Sequence, residues 1–228
     1  MNVLAFDTCF GAVSAAVRRG SKLEESYEAR TAGHAERLLP MIDETMRSAG
    51  LAFRDIDRIA VTVGPGSFTG VRVGVAAARA LALATGKPVV GMTSLAVMAD
   101  EARAQLGNAC GERPLAVAVD ARRGMVYFQL FDAAQDISAP LLREPADAAA
   151  IIGRGPAFLV GSAAVAVASL VVAAGGKAEA ALADLQPHAR VLALRADELV
   201  PAVPIQPLYL RIPDAKLQGD KSLPRVVS

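Results

Sequence analysis

Tryptophan is absent from this 228-residue chain, aromatic residues make up only 4% of it, and it has 2 cysteines and 2 histidines. Cys9 and Cys110 are too few for a disulfide framework, and neither sits in a metal-like cluster, so a reduced, cytoplasmic setting is expected. An excess of charge of either sign is also missing. The 24 basic residues face 23 acidic ones, for a net charge of +1. That balance argues against a broad basic face for gripping nucleic acid, because phosphate binding needs clustered Lys and Arg. The first seven residues lack a basic stretch and reach a carboxylate at Asp7, so no secretory leader is expected.

Apolar residues are plentiful: 53% of the chain is hydrophobic, 21% is charged, and the mean hydropathy is +0.36. This composition excludes a disordered chain and suits one large domain or two small ones. Residues 156–176 carry no charge over 21 positions, long enough to cross a bilayer. However, Ala, Gly and Ser fill much of the run, and Gly161-Ser162 interrupts it after Phe158-Leu159-Val160. A buried strand, a tight turn and a buried Ala-rich helix over residues 163–174 are therefore expected, with no membrane span.

The chain repeats itself. The apolar run Val3–Phe6 ends at Asp7, followed by Gly11 and alternating Val13, Ala15 and Val17. The run Ala116–Val119 ends at Asp120, followed by Gly124 and alternating Val126, Phe128 and Leu130. Asp7 and Asp120, Gly11 and Gly124, and Val13 and Val126 are each 113 positions apart. Each copy reads as a β-hairpin with a carboxylate at its mouth, and two copies imply two similar halves around a cleft. The paired carboxylates would either hold Mg²⁺ near a phosphate or satisfy backbone N–H groups in their own turns.

Residues 32–49 read as an amphipathic helix, with Ala35, Leu38, Leu39, Ile42 and Met46 on one face, Gly50 as its stop and Pro40 as an early kink or start. His34 has Leu38 at the position where a zinc helix needs its second His, and His188 has no evident co-ligands, so no metal is expected. A strand over residues 56–63 runs into Gly64-Pro65-Gly66-Ser67-Phe68-Thr69-Gly70. This loop is not Walker A, not a G-x-S-x-G nucleophile elbow and not G-x-G-x-x-G. Gly64, Gly66 and Ser67 form either a backbone cradle for phosphate or a tight turn. The next helix, residues 70–85, carries Gly70, Gly74, Ala78 and Ala82 at intervals of four, and Gly86 continues the row. Such a row lets another backbone approach closely, either the chain's own sheet or a partner's helix. On the second reading, Gly74→Leu is expected to abolish pairing while leaving the chain folded.

Phe6-Asp7-Thr8, His34-Ala35-Glu36-Arg37-Leu38-Leu39-Pro40, Gly64 to Gly74 and Asp120-Ala121-Arg122-Arg123-Gly124 together resemble the TsaB (YeaZ) family. These are bacterial accessory proteins for threonylcarbamoyladenosine formation on tRNA, of the wider glycoprotease-like group. The resemblance is strong over residues 1–128 and thins to Pro207-Leu208-Tyr209-Leu210-Arg211 near the end. Met125 replaces the family's usual Glu, and Gly161-Ser162-Ala163 replaces a Gly-x-Gly turn, which weakens a nucleotide site in the second half.

The resemblance implies an actin/Hsp70-like (ASKHA) α/β fold of two lobes, expected at residues 1–104 and 105–228, the final segment packing back on the first lobe. It implies a non-catalytic subunit needed for threonylcarbamoyl transfer to N6 of adenosine 37 in tRNAs reading ANN codons. The partners implied are a TsaD-like catalytic subunit and a TsaE-like ATPase, with a homodimer in isolation and tRNA met mainly through the complex. TsaD-like proteins hold a metal through paired histidines; this chain keeps only His34, so neither metal nor cofactor is expected. The partner interface is expected at Leu38, Leu39, Ile42, Met46, Gly70, Gly74 and Ala78. The alternatives are an independent ATPase or kinase of the same fold, using Asp7, Gly64, Gly66, Ser67 and Asp120, or a protease, for which no nucleophile or metal is found.

Overall fold

The apolar runs that precede Asp7 and Asp120 become the central strands of two five-stranded sheets in the computed structural model, which describes residues 1–111, 113–132 and 138–211. In the first half, β1 (Asn2–Asp7), β2 (Ala12–Arg19) and β3 (Lys22–Ala29) form an antiparallel meander. Then come α1 (His34–Ser48), β4 (Arg58–Thr62), α2 (Phe68–Thr85), β5 (Val89–Met92) and α3 (Ser94–Leu106). The second half repeats the plan with β6 (Leu115–Asp120), β7 (Val126–Phe131) and β8 (Leu141–Arg143), then α4 (Pro145–Ile152), β9 (Pro156–Val160), α5 (Ala164–Ala173), β10 (Lys177–Ala180) and α6 (Ala189–Arg195).

The sheet orders are β3-β2-β1-β4-β5 and, read in the same sense, β8-β7-β6-β9-β10. In each, the first strand pairs antiparallel with the second and parallel with the fourth. Identical order and direction make the repeat a structural duplication, and the result is the actin/Hsp70-like α/β fold.

Both faces of each sheet are covered. On one face of the first sheet, Leu4, Phe6 and Val13 pack against Leu38, Ile42 and Met46 of α1 and Val71, Val75 and Ala78 of α2. On the other, Val3, Ala5 and Ala16 meet Ala189, Leu192 and Ala193 of α6. The second sheet lays Val117, Tyr127 and Phe158 on Leu95, Met98 and Ala102 of α3, and Ala118, Phe128 and Leu159 on Ala164, Val167 and Val171 of α5. Each half thus sends a helix to the other: α3 follows β5 but packs on the second sheet, and α6 follows β10 but packs on the first. Residues 104 and 105 lie within α3. Phe6, Phe128, Phe131 and Phe158 are almost wholly buried, and each contributes roughly 2 to 3 kcal/mol by leaving water.

Pro40 lies inside α1, which continues through it; the residue sits on the exposed side, where water can replace the amide it lacks. The uncharged run over 156–176 forms β9, a turn at Gly161-Ser162 and α5. The expectation that α5 is a buried helix needs correction: Val167 and Val171 face the core, whereas Val165 is 60% and Val172 54% exposed. Among the described residues, the helix long and apolar enough to cross a membrane is α2, and it lays Gly70, Val71, Gly74, Val75 and Ala78 on its own sheet.

Candidate functional site

Asp7 ends β1 with its carboxylate turned into the protein. Its Oδ1 accepts hydrogen bonds from the Thr62 hydroxyl and, at 3.2 Å, from the Cys9 amide, while Oδ2 is buried without a partner among the described residues. Burial, opposed by those bonds, pushes its pKa up to about 6. Beside it, the Cys9 thiol lies 3.2 Å from Thr62 Oγ1, and burial followed by the nearby Asp7 charge pushes it well up. A neutral, buried thiol is not a nucleophile.

Asp120 has a different environment. It is exposed, its Oδ1 accepts from the Arg122 amide at 2.7 Å, and its own amide donates to Ser162 Oγ at 2.9 Å. The carboxylate closes a local turn in which Arg122, Arg123 and Gly124 all take positive φ. Of the two roles open to these carboxylates, Asp120 performs the turn-closing one.

The glycine loop is drawn tight between the lobes. Ser67 N–H donates to the Cys9 carbonyl at 2.8 Å, and Ser67 Oγ caps α2 by accepting from Gly70 N–H at 3.0 Å. The Gly64 carbonyl accepts from Ser94 N–H at 2.9 Å, and the Tyr127 hydroxyl donates to the Gly66 carbonyl at 3.3 Å from the other lobe. A Cβ on Gly66 would stand 2.5 Å from the Cys9 carbonyl oxygen. At Gly64, where φ is +106°, it would stand 2.7 Å from that of Leu208. These glycines exist because backbone meets backbone there. The amides of Ser67 and Gly70 are both used within the chain, and the loop makes a tight turn and an interlobe contact. The structure brings Gly64, Gly66 and Ser67 against the Asp7–Cys9 turn, and leaves Asp120 at the solvent-facing hairpin tip.

The expected partner face requires correction. Leu38, Ile42 and Met46 are at most 2% exposed, and Gly70, Gly74 and Ala78 are buried against the chain's own first sheet. A Cβ on Gly74 would come 2.8 Å from Thr8 Oγ1, and one on Gly70 would overlap the Thr8 carbonyl. Gly74→Leu would therefore disrupt this fold before it touched a partner. Leu39, 56% exposed, is the one expected interface residue on the outer side, where Leu83 of α2 is 89% exposed. Leu83 lies opposite the small-residue row, and that opposition was the signal that could have found it.

Sequence reasoning missed an ionic cluster between the lobes. Glu25 accepts from Arg190 Nη1 at 3.2 Å and lies 3.3 Å from His188 Nδ1, while Arg190 also pairs with the buried Glu101. Burial pushes Glu25 up, but His188 and Arg190 outweigh it, and its pKa is lowered overall. His188 stacks on Tyr27 with ring centroids 4.5 Å apart, and the two line a cleft of about 320 Å³ with Gln105, Asp184 and Gln186. Glu25 and His188 are separated by 163 positions, so spacing carried no trace of the contact. The other histidine, His34, bonds the Phe10 carbonyl at 2.9 Å and fastens α1 to the β1–β2 turn. Among the described residues, no three His, Cys, Asp or Glu side chains gather as a metal site would need.

Residues 28–156 match the family described as TsaD: tRNA N6-adenosine threonylcarbamoyltransferase. Over 128 residues the chain is 38% identical to the tRNA threonylcarbamoyladenosine biosynthesis protein TsaB of Escherichia coli (strain K12), covering 56% of this chain and 54% of that one. The match thus spans about half the length of that relative, as it does for the TsaB of Haemophilus influenzae, at 52%. An uncharacterized protein of Mycobacterium tuberculosis is 35% identical over 223 residues, covering 94% of this chain and 93% of that one. Among solved structures, one of a Pseudomonas aeruginosa protein with similarity to the peptidase YeaZ superposes with a TM-score of 0.77 at 30% identity, covering 92% of this chain and 99% of that one. YeaZ from Pseudomonas aeruginosa superposes with a TM-score of 0.75 at 29% identity over the same shares. With the sequence motifs, the duplicated fold and these likenesses in agreement, the chain belongs to the TsaB (YeaZ) family.

Proposed function

We propose that this chain is a non-catalytic, cytoplasmic subunit required for threonylcarbamoyl transfer to N6 of adenosine 37 in tRNAs reading ANN codons. It acts by binding and activating a TsaD-like catalytic subunit, which a TsaE-like ATPase joins. The names of its relatives point to this pathway. The observation that carries the reading is exposed apolar surface on both helices: Leu39 of α1 is 56% exposed, and Leu83 of α2 is 89% exposed on the same side of that helix as the exposed alanines Ala76 and Ala80. An apolar helix face of this kind seeks cover from a partner, or from a second copy of the chain when alone. The rival reading, an independent ATPase or kinase, needs Asp7 free to reach a phosphate, and its complete burial weighs against that.

Co-purification tests the proposal. Wild-type chain should form a complex with the TsaD-like protein of its own organism, and the double variant Leu39→Asp, Leu83→Asp should lose it while keeping its circular dichroism. A complex that survives both changes, or a wild-type chain that forms none, would overturn the assignment.

A further inference from the structure

The two halves treat one equivalent strand differently. β5 and β10 each end their sheet and run parallel to a single inner neighbour, β4 and β9. The outer edge of β5 is covered by the chain itself: Pro201 bridges antiparallel to Val90, and Ala202 N–H donates to the Val89 carbonyl at 3.0 Å. Among the described residues, no such segment lies along β10. Ala181 N–H donates inward to the Leu159 carbonyl at 2.9 Å, so by strand alternation Lys177 and Glu179 also turn their backbone groups toward β9. Those of Ala178 and Ala180 point outward, an open row of donors and acceptors that another strand can pair with.

Beside this edge the surface is apolar. Val165, Ala168 and Val172 of α5, with Ala178 and Ala180 of β10, line a groove of about 440 Å³, and both valines are exposed. The charges of the strand lie on its other face. Lys177 and Glu179 are both exposed there; Glu179 Oε2 accepts from Arg113 Nη1 at 3.2 Å, and Lys177 has no carboxylate partner among the described residues.

We propose that β10 pairs antiparallel with β10 of a second copy, joining the two second-half sheets into one across a twofold axis. The run Lys177-Ala178-Glu179-Ala180 selects the register. An axis perpendicular to the sheet opposes only residues that share a face. With Ala178 opposite Ala178, Lys177 of each copy faces Glu179 of the other, and that carboxylate lies between the lysine and its own Arg113. An axis at 177 or 179 would set lysine against lysine or glutamate against glutamate, which is destabilising. In the favoured register the outward backbone groups of the two Ala178 residues bond each other, and Ala180 stands opposite Gly176. These small residues lie on the groove side, where the exposed valines of the two α5 helices can close over the joint. The occupant is a copy of this chain because the strand's own charges answer one another. The pairing uses the second sheet, whereas α1 and α2 pack on the first, so it is independent of the proposed subunit role.

Sedimentation equilibrium of the full chain over a concentration series tests this, in wild type and in the Leu39→Asp, Leu83→Asp variant, which disables the α1 and α2 surface. Both should reach the mass of two chains, one chain being 23.6 kDa. Further changes are made in that variant. Ala178→Pro removes an amide that the fold leaves unused, at an edge where proline is tolerated. Val172→Asp places a charge in the groove at an exposed position. Each should hold the mass at one chain with circular dichroism unchanged. Lys177→Glu should do the same, and adding Glu179→Lys to it should restore the dimer. The proposal is overturned if the Leu39→Asp, Leu83→Asp chain has the mass of one chain at every concentration. A dimer that survives Val172→Asp and Lys177→Glu would overturn it as well. Co-purification with the TsaD-like protein reports the subunit role separately, so the two failures give different results.

Discussion

Asp7 and Asp120 close equivalent central strands 113 positions apart, yet Asp7 is sealed in the core and Asp120 stands in solvent. Thr62 and Cys9 enclose the first carboxylate; the Arg122 amide holds the second in a surface turn, where the Asp120 amide donates to Ser162. The duplication that made the pair legible has been put to two different uses.

The buried carboxylate has a pH signature. Asp7 holds its proton to about pH 6 when folded, whereas the ordinary value is 3.8. The native state thus binds more protons than the unfolded state between those values, and this group's contribution to stability falls as pH rises through about 4 to 6. A separation of that size corresponds to about 3 kcal/mol. Measured by urea unfolding, wild type should lose about that much relative to Asp7→Asn between pH 4 and pH 7; parallel pH profiles would refute a carboxylate sealed in the core.

The Glu25 cluster has the opposite sign. Its pKa is lowered in the folded state from 4.5, so its contribution is complete above that value and is lost as pH falls through the folded pKa. Glu25→Gln removes the carboxylate that faces His188 and Arg190, leaves Arg190 to Glu101 alone, and should cost about 1 to 3 kcal/mol at pH 7. The difference from wild type should shrink on acidification below pH 4.5, as denaturant midpoints would report.

Gly74→Leu should destabilise the chain itself by about 3 kcal/mol or more, because four carbons must enter the space held by Thr8 and Val61. A thermal melt of the isolated chain tests this without any partner. An unchanged melting temperature would restore the row of small residues to the surface.

Ser67→Ala removes the hydroxyl that caps α2 and should cost about 1 kcal/mol. If Ser67 were a nucleophile, the loss would appear in catalysis with stability intact. A cap shows the reverse.

Much of the fold was legible because strands and helices carry their periods locally. The repeat around Asp7 and Asp120 foretold two similar halves, and the helices expected at residues 32–49 and 70–85 are α1, His34–Ser48, and α2, Phe68–Thr85. Which face a helix turns to the core is a different matter. Glycine and alanine at intervals of four on α2 signal close approach equally well for an internal or an external neighbour, and only the fold shows Thr8 beneath Gly70 and Gly74. The Glu25–His188–Arg190 cluster and the Arg72–Tyr209 stack join residues 163 and 137 positions apart, and no local pattern encodes them.

The most direct measurement is threonylcarbamoyl transfer to an unmodified tRNA by the TsaD-like and TsaE-like partners with and without this chain. Transfer should require the wild-type chain and fail with Leu39→Asp, Leu83→Asp. Full transfer without the chain, or with that variant in place of wild type, would contradict an activating subunit that works through the outer face of α1 and α2.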